Sequence, residues 1–214
     1  MTQVTSIYSF CQVVHLFCKF DLLPFDPQTK AKQLAGFFYV HEGERLASKG
    51  KIDEAITQFK KAQEFKVFYL EYHTQAKQKA ANFWVSEWKK LAENGKIDEV
   101  LTRYKKAQEL YPNLEISAND WKKLCWNGSL YNQAEKVMFA CEKAVELAPD
   151  EGYIQDSRGL ARALTGNIKG AIEDFEVFIA WTDNEKKKAQ RQGWVDALKK
   201  GENPFTKKVL ESLR

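Results

Sequence analysis

Residues 50–65, GKIDEAITQFKKAQEF, recur as GKIDEVLTRYKKAQEL at residues 95–110. The match extends without a gap over residues 21–65 against 66–110, with 21 of 45 positions identical. A duplication of this length confines the chain to architectures that stack one supersecondary unit on the next. The shared positions include Ala31/Ala76, Phe38/Phe83, Val40/Val85, Leu46/Leu91, Gly50/Gly95 and Ala62/Ala107, among them spacings of four and seven that return to one face of a helix. Each unit is therefore expected to be a helical hairpin with its turn at the glycine, a residue that tolerates the left-handed conformation closing a helix.

The signature continues with falling fidelity. WKKLAENGKID from Trp88 is echoed by WKKLCWNGSLY from Trp121, and LARALTGNIKGAIEDF from Leu160 supplies another turn. First helices are expected to end at Gly50, Gly95, Gly128 and Gly166, with Pro112 and Pro149 stopping second helices. Asp26 and Pro27 read as N-cap and first residue of the opening helix. Two places stay open. The connector KVFYLEYHT, residues 66–74, has no Gly or Pro, so a break and a fused or kinked helix both fit it. The stretch SLYNQAEK implies a longer turn or an extra turn of helix in unit three.

The expected organisation is a partial-repeat helix over residues 1–23, an array over 24–185 with units at about 24–68, 69–114, 115–151 and 152–181, and capping helices over 182–214. Ile7, Phe10, Cys11, Val14, Phe17 and Cys18 form an apolar stripe at helical spacing, which suits docking on unit one, self-association or attachment to a larger partner. At the other end, Thr182 with Glu185 reads as a capping box. The helix it opens turns Ala189, Trp194, Val195 and Leu198 inward.

The pattern W-x3-W-x2-L-x3-G-x4-V-x3-Y-x2-A-x4-P, from Trp84 through Gly95 to Pro112, resembles the tetratricopeptide repeat. Residues 114–205 are similar to the helical-repeat module at the C-terminus of many bacterial multidomain signalling proteins. The resemblance implies an all-α, right-handed solenoid of about four such hairpins with a C-terminal capping helix. It implies a non-enzymatic scaffold that binds a protein or peptide segment in its groove, or a docking remnant of a larger signalling protein. By the resemblance, the groove is lined by first-helix positions, here Phe37, Val40, Glu44, Asn82, Val85, Lys89, Lys122, Trp126, Tyr153 and Asp156. One groove position is small in all four units: Ala47, Ala92, Cys125 and Ala163. Members that clamp a terminal carboxylate carry Lys and Asn in the first unit, where this chain has Val40 and Glu44, so that clamp is not expected.

Composition narrows the function classes. Apolar residues make up 44% and charged residues 29% of the 214, and the formal charge is +4 with both signs interleaved. The paired lysines 60–61, 89–90, 105–106 and 122–123 recur with the repeat as a solvated face, with acids close by, which argues against nucleic acid. No run of apolar residues is long enough to cross a bilayer. Four cysteines without a CxxC pair and no positively charged leader suggest a cytoplasmic protein with free thiols. Cys11, His15 and Cys18 share a helix face that a metal could use, but Phe10 and Val14 on that face read it as core. Cys125 and Cys141 read as core thiols, with a disulfide as the alternative. No histidine stands at a catalytic spacing and no glycine-rich phosphate loop is present, so no cofactor and no enzymatic activity are expected.

Overall fold

The computed structural model describes residues 27–65 and 70–214. The N-terminal stripe, the Asp26 cap, the Cys11, His15 and Cys18 set and the connector 66–69 lie outside these residues. Ten helices are formed by the described residues: α1 (Pro27–Ala47), α2 (Ile52–Glu64), α3 (Leu70–Glu93), α4 (Ile97–Leu110), α5 (Ala118–Leu130), α6 (Ala134–Leu147), α7 (Gly152–Leu164), α8 (Ile168–Trp181), α9 (Glu185–Lys199) and α10 (Lys207–Ser212). The described residues contain no strand.

The helices pair as α1 with α2, α3 with α4, α5 with α6 and α7 with α8. The turns show where the repeat frame truly lies. Gly50, Gly95 and Gly166 have φ of 72°, 73° and 86°, Gly201 has 78°, and Asn132 is the one described non-glycine at positive φ, 58°. In all five places the next residue donates its N–H to the carbonyl five positions back: Lys51 to Leu46, Lys96 to Leu91, Gln133 to Gly128, Asn167 to Arg162 and Glu202 to Ala197. This is the bond that closes a helix on a left-handed residue.

Two expectations change as a result. In unit three the first helix does not end at Gly128. It runs on to Leu130 and turns at Asn132, so the extra residues of SLYNQAEK become helix, and Asn supplies the left-handed residue that its short polar side chain tolerates. Gly128 serves packing instead, since a Cβ there would sit 2.5 Å from Val137 Cγ1. Gly128→Ala should therefore lower stability by about 1–3 kcal/mol through overpacking, despite alanine's better helix propensity; a denaturant-unfolding midpoint at or above wild type would contradict this contact. Secondly, Gly201 repeats the turn 35 residues after Gly166, itself 34 residues after Asn132. The capping segment thus repeats in α9 the spacing of a first helix, ahead of the short α10.

The cap of α9 is also corrected. Its N-cap is Asn184, whose side chain accepts from the Lys187 N–H, whereas Thr182 closes α8 and accepts from the Asn184 N–H through its hydroxyl. Between units two and three no such ambiguity arises: Ser117 caps α5 by accepting from the Asp120 N–H. At the open connector, α2 spans Ile52–Glu64 and α3 is described over Leu70–Glu93, and the choice between a break and a fused helix falls outside the described residues.

Counting from the left-handed residue explains the hairpin cores. Seven residues before it and nine after stand Gly43 and Phe59, Trp88 and Tyr104, Cys125 and Cys141, Gly159 and Phe175, and Trp194 and Leu210. The first four pairs meet where their two helices cross, and Trp194 and Leu210 share one buried cluster: a Cβ on Gly43 or Gly159 would come within 2.8 Å of Phe59 or 3.0 Å of Phe175, and the Trp88 and Tyr104 rings lie 6.0 Å apart. Unit three places its two cysteines at this crossing, with Cα atoms 4.9 Å apart, and they are joined as a disulfide. The reading of separate core thiols is corrected accordingly, because the hairpin brings their Cα atoms within the range a disulfide spans.

Candidate functional site

Successive first helices pack on one another, α1 on α3, α3 on α5 and α5 on α7, while among the described residues successive second helices touch at most marginally. The layer whose members are closest together lies on the inside of a curved stack. The first helices therefore form the inner face. Helix α9 joins them, reaching α7 and α5 through side chains described below.

Ten residues before each turn stands one row of this face: Val40, Val85, Lys122, Asp156 and Arg191. Its two ends differ in character. Val40 and Val85 are buried core residues, so neither forms groove surface; their branched apolar side chains are covered where α1, α3 and their partners pack. Phe37 and Glu44 are partly buried and Asn82 is exposed. Lys89 is neutralised across units by Asp120, with Nζ 2.8 Å from Oδ1. The small floor is Ala47, Ala92, Ser129 and Ala163, since the turn at Asn132 puts Ser129, not Cys125, in register.

The remaining four expected residues, Lys122, Trp126, Tyr153 and Asp156, do come together, at the C-terminal end of the inner face. Asp156 is buried and accepts a bidentate pair of hydrogen bonds from Arg191, Nε to Oδ1 at 2.9 Å and Nη2 to Oδ2 at 2.7 Å. Burial, the larger influence, pushes the Asp156 carboxyl above its usual range, while the Arg191 hydrogen bonds and charge, and Lys187, pull it down. The Arg191 guanidinium is itself walled by rings, 4.3 Å from the centroid of Trp194, 5.4 Å from Phe178 and 5.9 Å from Trp126, and donates to Gln190 Oε1. Trp126, expected to line the groove, is half-buried.

Tyr153 lies at the surface end of this arrangement, half-buried against Phe178 and Trp181. Two ammonium groups converge on its ring from neighbouring first helices, Lys122 of α5 at 5.8 Å from the centroid and Lys187 of α9 at 4.6 Å. Lys187 Nζ also donates to the Tyr153 hydroxyl at 3.1 Å. The sequence alone would put Lys187 and Arg191 on the polar outer face of a terminal cap; instead Arg191 is buried and Lys187 meets the Tyr153 ring. The signal was present: Gly201 falls one repeat after Gly166, and Trp194 precedes it by the seven residues that separate Trp88 from Gly95.

The inner face thus offers cations over an aromatic platform, a geometry for binding. The site and fold together define an α solenoid of tetratricopeptide-like hairpins. Among solved structures the chain is similar to the TPR domain of P58(IPK), with a TM-score of 0.50 and 14% sequence identity over 83% of this chain and 48% of that one. At this identity the likeness is one of fold, and the chain spans about half the length of that structure. No protein-family profile and no curated protein sequence matches the chain. No helix among the described residues is long and apolar enough to cross a membrane.

Proposed function

We propose that the chain is a non-enzymatic interaction scaffold that holds a peptide or protein segment on the face built by its first helices. The observation that carries this reading is the convergence of Lys122, Trp126, Tyr153 and Lys187, all partly exposed, from three successive inner helices. Repeat folds of this kind use their extended inner surface for recognition, and a rigid aromatic beside a cation is the usual make-up of a binding hot spot. The resemblance of residues 114–205 to the repeat module of bacterial signalling proteins supports a regulatory setting for such a scaffold.

The test is a selection of binders from a random peptide library. Selected peptides should lose about tenfold or more in affinity on Lys122→Glu with Lys187→Glu, and keep it on Lys105→Glu with Lys169→Glu, two exposed lysines of the second helices α4 and α8. Binders sensitive only to the α4 and α8 substitutions would overturn the assignment to the inner face.

A further inference from the structure

Resting on the groove reading above, we infer that the occupant of the C-terminal half of the inner face is an acidic peptide segment recognised through its side-chain carboxylates. Two like charges, Lys122 and Lys187, are drawn to the same ring. Their mutual repulsion works against that arrangement. Neither ammonium has a carboxylate within 4.0 Å among the described residues, whereas Lys89, on the same face, is paired with Asp120. Asp156, the buried acid of this end, feels the charge of Lys187 but is held by Arg191 in a bidentate pair and forms no ion pair with either lysine. Two ammonium groups sharing one ring are near enough for a single short acidic stretch to reach both.

The distribution of charge points the same way. Residues 182–214 carry nine Lys and Arg against five Asp and Glu, which accounts for the whole +4 of the chain. An acidic segment is therefore steered towards the end of the solenoid where Lys122 and Lys187 stand. The rest of the inner face argues for a peptide over a nucleic acid. Val40 and Val85 are buried, Glu44 is acidic and Lys89 is neutralised, so no cationic row extends along the stack as a phosphate backbone would require. The partly exposed Trp126 beside Lys122 gives the segment an apolar contact next to its charges.

The experiment uses the full chain and three fluorescent peptides of equal length, acetylated and C-terminally amidated so that no terminal carboxylate is present: Glu/Gly, Ser/Gly and Lys/Gly repeats. A single-stranded oligodeoxythymidine serves as a fourth probe. The Glu/Gly peptide is expected to bind at least about tenfold more tightly than the Ser/Gly peptide, to weaken with added salt, and to lose its advantage on Lys122→Glu with Lys187→Glu. Lys122→Gln with Lys187→Gln, which removes charge without reversing it, should give an intermediate loss, with circular dichroism verifying that both variants fold. An acidic preference that survives both pairs of substitutions would overturn the inference. Equal, Trp126→Phe-sensitive binding of the Glu/Gly and Ser/Gly peptides would overturn it and leave the groove reading standing. Lysine-dependent binding of the oligonucleotide in preference to the Glu/Gly peptide would reassign the site to nucleic acid. Failure of all four probes to bind would overturn both readings.

Discussion

Arg191→Ala is expected to lower the stability of the C-terminal end of the solenoid by about 3–5 kcal/mol, the cost of leaving one member of a buried ion pair without the other. Asp156 would keep its carboxylate in a site where its residue is 3% exposed, with both hydrogen-bond donors gone. Asp156→Ala should cost a similar amount by stranding the guanidinium among Trp126, Phe178 and Trp194. Replacing both at once, Asp156→Leu with Arg191→Met, should cost less than either single change, because the pair's own net contribution is small once desolvation is counted. Arg191 reaches only as far as α5 and α7, so the loss is expected to stay in the C-terminal half of the stack. Hydrogen exchange should show α9 and α10 losing protection while α1 to α4 keep theirs. Uniform loss through the chain, or none in α9, would contradict the role assigned to the pair.

Reduction of Cys125 and Cys141 should lower stability by about 3 kcal/mol, the value for a loop near the 16-residue separation of this pair. Both residues are fully buried, and Cys125 and Cys141 each lie 3.4 Å from a carbonyl oxygen, of Ser157 and Val137 respectively, to which a reduced thiol could donate. Reduction therefore removes a covalent constraint without stranding a polar group, and the hairpin should stay folded, with a lower unfolding midpoint. Alkylation should reach these two sulfurs only after denaturation and reduction together. Modification of both under native, non-reducing conditions would show that they are not paired. A disulfide is ordinarily a mark of oxidising compartments, so this pairing removes the ground that free thiols gave for a cytoplasmic setting.

The hairpin pattern was legible because packing repeats: Ala55, Phe59 and Ala62, buried between helices, must recur for the next unit to seat. What misled was identity at the wrong level. Trp121 copies Trp88 and Gly128 copies Gly95 in letters, yet one extra turn of helix in α5 slips the frame, and a left-handed Asn132 carries the turn that glycine carries elsewhere. With that frame the meeting of Cys125 and Cys141 can be counted from sequence, as can the place of Arg191 in the inner row. Val40 and Val85 show the opposite limit: both were expected to line the groove, yet both are buried, and which positions of the inner row face solvent depends on the chemistry of the residue. The Lys122 and Lys187 convergence could not be read at all, since it depends on two flexible side chains meeting a ring of a third helix.

Recognition is proposed to occur on the inner face at its C-terminal end. A photo-reactive group within the Glu/Gly peptide, crosslinked to the full chain and mapped by mass spectrometry, tests it most directly. Crosslinks are expected on α5, α7 and α9, around Lys122, Tyr153 and Lys187. Crosslinks confined to the second helices α4, α6 and α8 would contradict it.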